Sequence, residues 1–113
     1  MALDNFTKQS WEEFRIDVDF GLNMGAGELL ELSSCNFVGT NASGATCTSL
    51  IADMTTLTLI NGTSTGMTNT SLQILVRAGD ETNSPYKLTF YGVTDLTPPH
   101  KWEKDIAMKI KET

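Results

Sequence analysis

Apolar and polar residues alternate along much of this chain, a pattern typical of strands with one buried face. The alternating or otherwise β-rich segments are residues 14–20, 28–38, 46–50, 55–60, 71–78, 86–94 and 102–111. The alternation slips at residues 33–34, which predicts a bulge or bend there, with a helical turn over residues 28–32 as the alternative. The pattern predicts about seven short strands.

Turn-forming residues separate these segments. The predicted turns and connections are residues 21–27, 39–44, 52–54, 61–69, 79–85 and 95–99, and Asn61-Gly62 is the strongest hairpin signal among them. Strands buried on both faces of a parallel sheet would read as continuous apolar runs, and these segments do not. We therefore predict an all-β fold, an immunoglobulin-like antiparallel β-sandwich with Greek-key connections.

Tyr86 opens the penultimate predicted strand, directly after a turn-rich segment. Immunoglobulin-like sandwiches use a tyrosine at this place to pin a loop through its hydroxyl group. We therefore assign Tyr86 a structural role and expect its hydroxyl to pin a loop.

The 113 residues suffice for one domain. Residues 1–12 are polar, with Leu3 and Phe6 as isolated apolar positions. They are predicted to form an irregular N-terminal arm that becomes ordered on assembly. Residues 13–113 are predicted to form the sandwich domain. Ser and Thr make up about a fifth of the chain, which agrees with a fold of strands and turns.

The net charge of −6 at pH 7 argues against binding to nucleic acid, which requires a basic surface. Lys101, Lys104, Lys109 and Lys111 alternate with acidic residues and are predicted to lie on a mixed, solvated face. The chain begins without an apolar leader segment, which predicts no signal peptide and synthesis in the cytoplasm. No run approaches the ~20 apolar residues that span a bilayer, so no membrane insertion is expected.

The residues with reactive side chains do not form a recognisable site. Cys35 and Cys47 are predicted to be reduced, buried thiols rather than a disulfide or a zinc site. Asp17 and Asp19 are predicted to be solvated strand charges, because no second group of oxygen ligands accompanies them. His100 is the only histidine, and neither a nucleophile motif nor an acidic residue that would orient its ring can be identified beside it, which favours a solvated loop residue over a general base. We therefore expect no catalytic residue, no metal and no cofactor, and predict that the chain is not an enzyme.

Four aromatic residues are candidates for an interface: Phe6, Trp11, Tyr91 and Trp102. Exposed Trp and Tyr are common anchors in protein–protein contacts. The alternatives are that Trp11 folds back over the sandwich edge and that Trp102 covers one end of the core.

Three stretches of the chain resemble a family of small immunoglobulin-like proteins of tailed phages and prophages. They are FTKQSWEEFRIDVDF at residues 6–20, VRAG at 76–79 leading to YKLTF at 86–90, and KWEKDIAMKI at 101–110. Genes of this family lie among the head and tail structural genes. The resemblance implies a virion structural or accessory protein, a capsid decoration or head–tail component that contacts phage structural proteins or other copies of itself. It implies no catalytic residues.

A module that binds carbohydrate or a cell surface is the alternative function. It requires exposed aromatic residues close to one another, and Tyr91, Trp102 and the loop around His100 form the plausible set.

Overall fold

The computed structural model describes residues 4–25, 27–62 and 66–112. Residues 1–3 of the predicted arm and 63–65 of the predicted polar loop lie outside this part of the chain. The described part contains seven strands: β1 (Asp4–Lys8), β2 (Phe14–Asp19), β3 (Asn36–Thr40), β4 (Ala52–Ile60), β5 (Ser71–Val76), β6 (Tyr86–Val93) and β7 (Lys101–Ile110). One helical turn, α1, spans Thr48–Ile51, and short 3-10 turns span Gly21–Asn23 and Leu32–Ser34.

The strands form two sheets, one ordered β1-β7-β6-β3 and the other β2-β5-β4. The predicted all-β sandwich is therefore confirmed. The pairing is not wholly antiparallel as predicted, because β1 runs parallel to β7. The remaining strand pairs of both sheets are antiparallel.

The core lies between the two sheets and is built from the alternating residues of the central strands. Its fully buried members include Leu72, Ile74 and Val76 of β5, Leu88 and Phe90 of β6, and Met108 of β7. Phe37 of β3 lies opposite Phe90 in the register, and the two rings pack edge to face with centroids 5.0 Å apart. The alternation of apolar and polar residues along the sequence therefore predicts correctly which residues of these strands face the core.

The prediction of an irregular N-terminal arm is wrong for Asp4–Lys8. These residues form β1, which adds a parallel strand to the edge of β7. Phe6 packs against the core and Lys8 is buried. The strand could not be predicted from its polar composition. Its stability comes from pairing with a strand about a hundred residues away rather than from an apolar face of its own.

The region between β3 and β4 also differs from the prediction. Residues 46–50 do not form the predicted strand, and the helical turn α1 spans Thr48–Ile51 instead. Strand β4 begins directly after α1, so residues 52–54, predicted as a connection, belong to this strand. The reason lies at Gly39 of β3. An added Cβ there would stand 2.5 Å from Cδ1 of Ile51, so any other residue at this position would displace the isoleucine from its place against the strand. Cys47 and Thr48 then bond to the backbone of Gly39 and cover this edge of the sheet.

The remaining connections follow the prediction in part. The bend predicted within residues 28–38 is present as the 3-10 turn at Leu32–Ser34, later in the chain than the alternative helical turn. The half-strand predicted before the bend does not form, and residues 28–31 contribute only an isolated bridge from Leu30 to Thr94. Strands β4 and β5 form the antiparallel pair expected around Asn61-Gly62, but residues 61–70 join them, more than a two-residue turn requires.

The hydroxyl of Tyr86 bonds to the loop between β5 and β6. Its side chain is buried, and the backbone N–H of Asp80 donates a hydrogen bond of 3.0 Å to its hydroxyl oxygen. Burial raises the pKa of this hydroxyl. The hydroxyl thereby holds the loop between β5 and β6 at the end of the sandwich where β1 passes to β2.

Candidate protein-interaction site

The turn between β1 and β2 is closed by two reciprocal hydrogen bonds. The backbone N–H of Gln9 donates to Oε1 of Glu12 at 2.7 Å, and the N–H of Glu12 donates to the carbonyl oxygen of Gln9 at 3.1 Å. Trp11 lies between these two residues and is held by neither bond. Its position is therefore set by the backbone of a closed turn.

The C-terminal end of β7 fixes this turn to the body of the sandwich. The backbone N–H and the hydroxyl of Ser10 both donate to the carboxylate of Glu112, at 2.7 and 3.0 Å. The N–H of Lys111 donates to the carbonyl oxygen of Lys8 at 3.0 Å. These bonds join residues about a hundred positions apart, so the turn keeps its shape only in the folded chain.

Lys8 anchors the same turn from inside. The residue is 2 % exposed, and its Nζ donates to the carbonyl oxygens of Gln9 at 2.8 Å and Ala78 at 2.7 Å. Burial lowers the pKa of Lys8, and the nearby carboxylates of Glu12 and Glu112 offset part of this effect. The ammonium group thus links β1 to the loop that Tyr86 pins.

Trp11 is the most exposed large apolar residue in the described part of the chain, at 90 %. The neighbouring Phe14 is 37 % exposed, and its ring packs edge to face on Phe6 with centroids 5.7 Å apart. Trp11, Phe14 and the exposed Glu12 and Glu13 border an open hollow of ≈ 520 Å³. We call these four residues the Trp11 corner. Of the predicted interface residues, Trp11 is thus exposed at this corner, whereas Phe6 supports it from the core side.

The other two predicted interface residues lie at the opposite end of β7. Tyr91 and Trp102 contribute to a cleft of ≈ 230 Å³ together with Gly92, Val93, Lys101 and Glu103. We call it the Tyr91 cleft. Tyr91 pairs with Glu103 across β6 and β7, and Val93 pairs with Lys101, so these four side chains share the outer face of the sheet.

Trp102 pairs with Gly92 and belongs to the inner face, where its ring packs against the core. This matches the alternative in which Trp102 covers one end of the core. Tyr91 and Trp102 therefore belong to opposite faces of the sheet, although both contribute to the cleft.

Sequence reasoning missed the partner of His100. Its Nδ1 lies 2.9 Å from Oε2 of Glu28, a carboxylate whose side chain is 7 % exposed. The other carboxylate oxygen of Glu28 accepts the N–H of Gly25 at 2.8 Å, and the imidazole packs edge to face on Trp102. The pair joins two loops 72 positions apart, and no local signal in the sequence could have identified it. Both carboxylate oxygens of Glu28 are therefore engaged, and the pair holds the two loops together.

The remaining candidates for chemistry have structural partners. Asp19 accepts hydrogen bonds from the N–H of Gly21 and the hydroxyl of Thr70. Cys35 and Cys47 are free thiols, half-buried, and burial raises the pKa of each. Within residues 4–25, 27–62 and 66–112, no group of three or more His, Cys, Asp or Glu side chains could hold a metal ion.

No protein-family model matches this chain, and a search of curated proteins finds no match. A search of the described residues for a helix long and apolar enough to cross a membrane finds none.

Proposed function

We propose that this chain is an immunoglobulin-like virion protein, a capsid decoration or head–tail component, that docks on a neighbouring protein subunit through the Trp11 corner. The mechanism is passive: a rigid sandwich presents one aromatic anchor, and the partner buries it. The resemblance of residues 6–20, 76–79, 86–90 and 101–110 to phage proteins supports the virion location.

The order of the strands supports the immunoglobulin-like assignment. The order β2-β5-β4 corresponds to strands B-E-D of that fold, and β7-β6-β3 corresponds to G-F-C. In this correspondence β6 is strand F, and Tyr86 at its start makes the backbone hydrogen bond of a tyrosine corner. The chain differs in placing β1 beside strand G and in lacking the disulfide that joins strands B and F in antibody domains.

The exposure of Trp11 is the observation that carries the proposal. An indole ring in water forgoes about 1.5–3 kcal/mol of burial free energy, as a large apolar side chain does. Tryptophan is also one of the residue types enriched among the few residues that dominate binding energy in protein interfaces. Because the turn around Trp11 is already ordered, docking the ring costs less conformational entropy than docking a side chain on a flexible arm.

The test is the incorporation of variants into virus particles. Particles are purified from the organism that carries the gene, and the copy number of the chain is measured by quantitative mass spectrometry for wild type, Trp11→Ala and Leu22→Ala. Leu22 is the matched control, since it is 83 % exposed but lies in the 3-10 turn that follows β2. We expect wild type and Leu22→Ala at a fixed copy number, and Trp11→Ala reduced at least about tenfold.

Two results would overturn the proposal. Wild-type chain absent from purified particles would remove the virion role. Equal incorporation of Trp11→Ala and wild type, with both folded by circular dichroism, would show that the Trp11 corner is not the docking surface.

A further inference from the structure

The chain carries both an exposed aromatic side chain and an apolar cleft, and they lie at opposite ends of one strand. Trp11 follows β1, whose last residue, Lys8, pairs with Ile110 at the end of β7. The Tyr91 cleft includes Lys101, the first residue of β7. The ten residues of β7 span roughly 30 Å. Trp11 therefore cannot enter the cleft of its own chain.

The size and lining of the Tyr91 cleft suit a single aromatic side chain. Its volume of ≈ 230 Å³ is below the ~300–1,000 Å³ of clefts that hold drug-sized ligands. Tyr91 and Val93 supply apolar surface on its outer side, and Lys101 supplies a cation that can approach the face of an incoming indole ring.

The charges beside the two features are partly complementary. Glu12 and Glu13 directly follow Trp11 in the chain and are exposed. Lys101 lies in the cleft and is also exposed to solvent. Entry of Trp11 would bring these two carboxylates towards the Lys101 ammonium. Glu103, also in the cleft, stands across from Tyr91 and opposes this attraction, so Lys101 is the charge whose reversal should matter most.

We propose that Trp11 of one copy of this chain inserts into the Tyr91 cleft of a second copy, producing head-to-tail association. Such a contact is heterologous, because the two copies use different surfaces. In a pair of associated copies, one copy therefore keeps a free Trp11 corner and the other keeps a free cleft. Repetition of the contact builds a ring if the rotation closes and a filament if it does not. The proposal rests on the function proposed above and names a second copy as the partner of the Trp11 corner.

The contact is small, so the association is expected to be weak and to require high protein concentration. Sedimentation equilibrium of the full chain up to about 1 mM measures it directly. We expect the average mass of wild type to rise with concentration beyond that of a dimer. Trp11→Ala, Tyr91→Ala and Lys101→Glu should each weaken association at least about tenfold.

Two matched controls test whether position, rather than residue type, causes the loss. Lys87→Glu makes the same charge change as Lys101→Glu on the outer face of the same sheet, at a residue that lines neither the cleft nor the Trp11 corner. Leu22→Ala removes another exposed apolar side chain. Both variants should associate as wild type does.

Mixing the variants distinguishes head-to-tail docking from a symmetric contact. Trp11→Ala retains the cleft, and Tyr91→Ala retains Trp11, so an equimolar mixture should form one-to-one dimers and nothing larger. Monomeric wild type at about 1 mM, undiminished association of Trp11→Ala, or failure of the mixture to form dimers would each overturn the proposal. If wild type stays monomeric while Trp11→Ala is lost from particles, the docking function stands and only the second copy as partner is wrong.

Discussion

Lys8 shows how a single buried cation can shape this protein. Its ammonium group reaches the carbonyl oxygens of two residues, Gln9 in the turn that carries Trp11 and Ala78 in the loop pinned by Tyr86. Both carbonyl groups would lose this partner if the side chain were apolar. Keeping the ammonium group charged inside the fold has a desolvation cost, and this cost lowers the pKa of Lys8.

The lowered pKa predicts how stability depends on pH. Below the folded-state pKa, Lys8 is protonated in both states and its contribution is constant. Between that pKa and the unfolded value near 10.5, only the unfolded chain keeps the proton, so the free energy of unfolding rises with pH. In Lys8→Met this rise should be missing. Urea unfolding of both proteins from pH 7 to about 11 measures the difference.

The comparison of the two proteins isolates Lys8 from other groups. The raised pKa of Tyr86 acts in the opposite direction, because the unfolded chain loses that proton first and stability falls above pH ~10. Tyr86 is present in both proteins, so its effect cancels in the difference. Parallel curves of unfolding free energy against pH would contradict the prediction.

At the scale of the element, β3 and the segment that follows it depend on one close approach. The missing side chain of Gly39 makes room for Ile51, which is fully buried at the end of α1. Gly39→Ala should lower the free energy of unfolding by about 1–3 kcal/mol, the usual cost of overpacking. Gly25→Ala is the control, since an added Cβ there meets only Glu28 Oε1, at 3.6 Å, and it should change stability by less than ~0.5 kcal/mol.

A second substitution tests the cause of that loss. Ile51→Val removes Cδ1, the atom closest to the added Cβ. Chemical unfolding of both single variants and the double variant gives the coupling energy between the two sites. We expect the double variant to be more stable than the sum of the single losses implies. Strict additivity would mean that Gly39 is required for another reason.

At the scale of the whole molecule, the N-terminal segment belongs to the sandwich and also presents the docking residue. Deleting residues 1–11 removes β1, including Phe6 from the core margin and Lys8 from its two carbonyl partners. Stability should fall by at least about 2 kcal/mol, since burial of one aromatic side chain alone contributes about that much. Trp11→Ala, in contrast, should leave stability within ~0.5 kcal/mol of wild type.

Urea unfolding of the three proteins separates these two roles of the segment. A deletion variant as stable as wild type would contradict this prediction and would favour an N-terminal arm that becomes ordered only on assembly. A large loss of stability in Trp11→Ala would mean that the ring contributes to the fold.

The strands that the sequence predicts well are those in which alternate residues form an apolar face. Residues 14–19 and 86–93 alternate clearly, and both were predicted within about one residue of their bounds. Strand β1 was not predicted, because its partner lies about a hundred residues away and its outer residues are polar. Helical turn α1 was not predicted either, since Thr48 and Ser49 have no strong preference and the packing of Ile51 against Gly39 decides the conformation.

The sequence by itself determined the all-β class and the inner faces of the central strands, because both follow from local periodicity. It also singled out Tyr86 as a structural residue and Trp11 as a candidate interface residue, because each is a particular residue type at a particular local position. Only the tertiary structure decided the exposure of Trp11, the hydrogen bonds that order its turn, and the placement of Tyr91 and Trp102 on opposite faces of the sheet. Bonds between distant residues cause these features: Glu112 holds Ser10, Lys8 holds Ala78, and the register of β6 with β7 sets the faces. Such contacts depend on the pairing of whole strands, which no local pattern records.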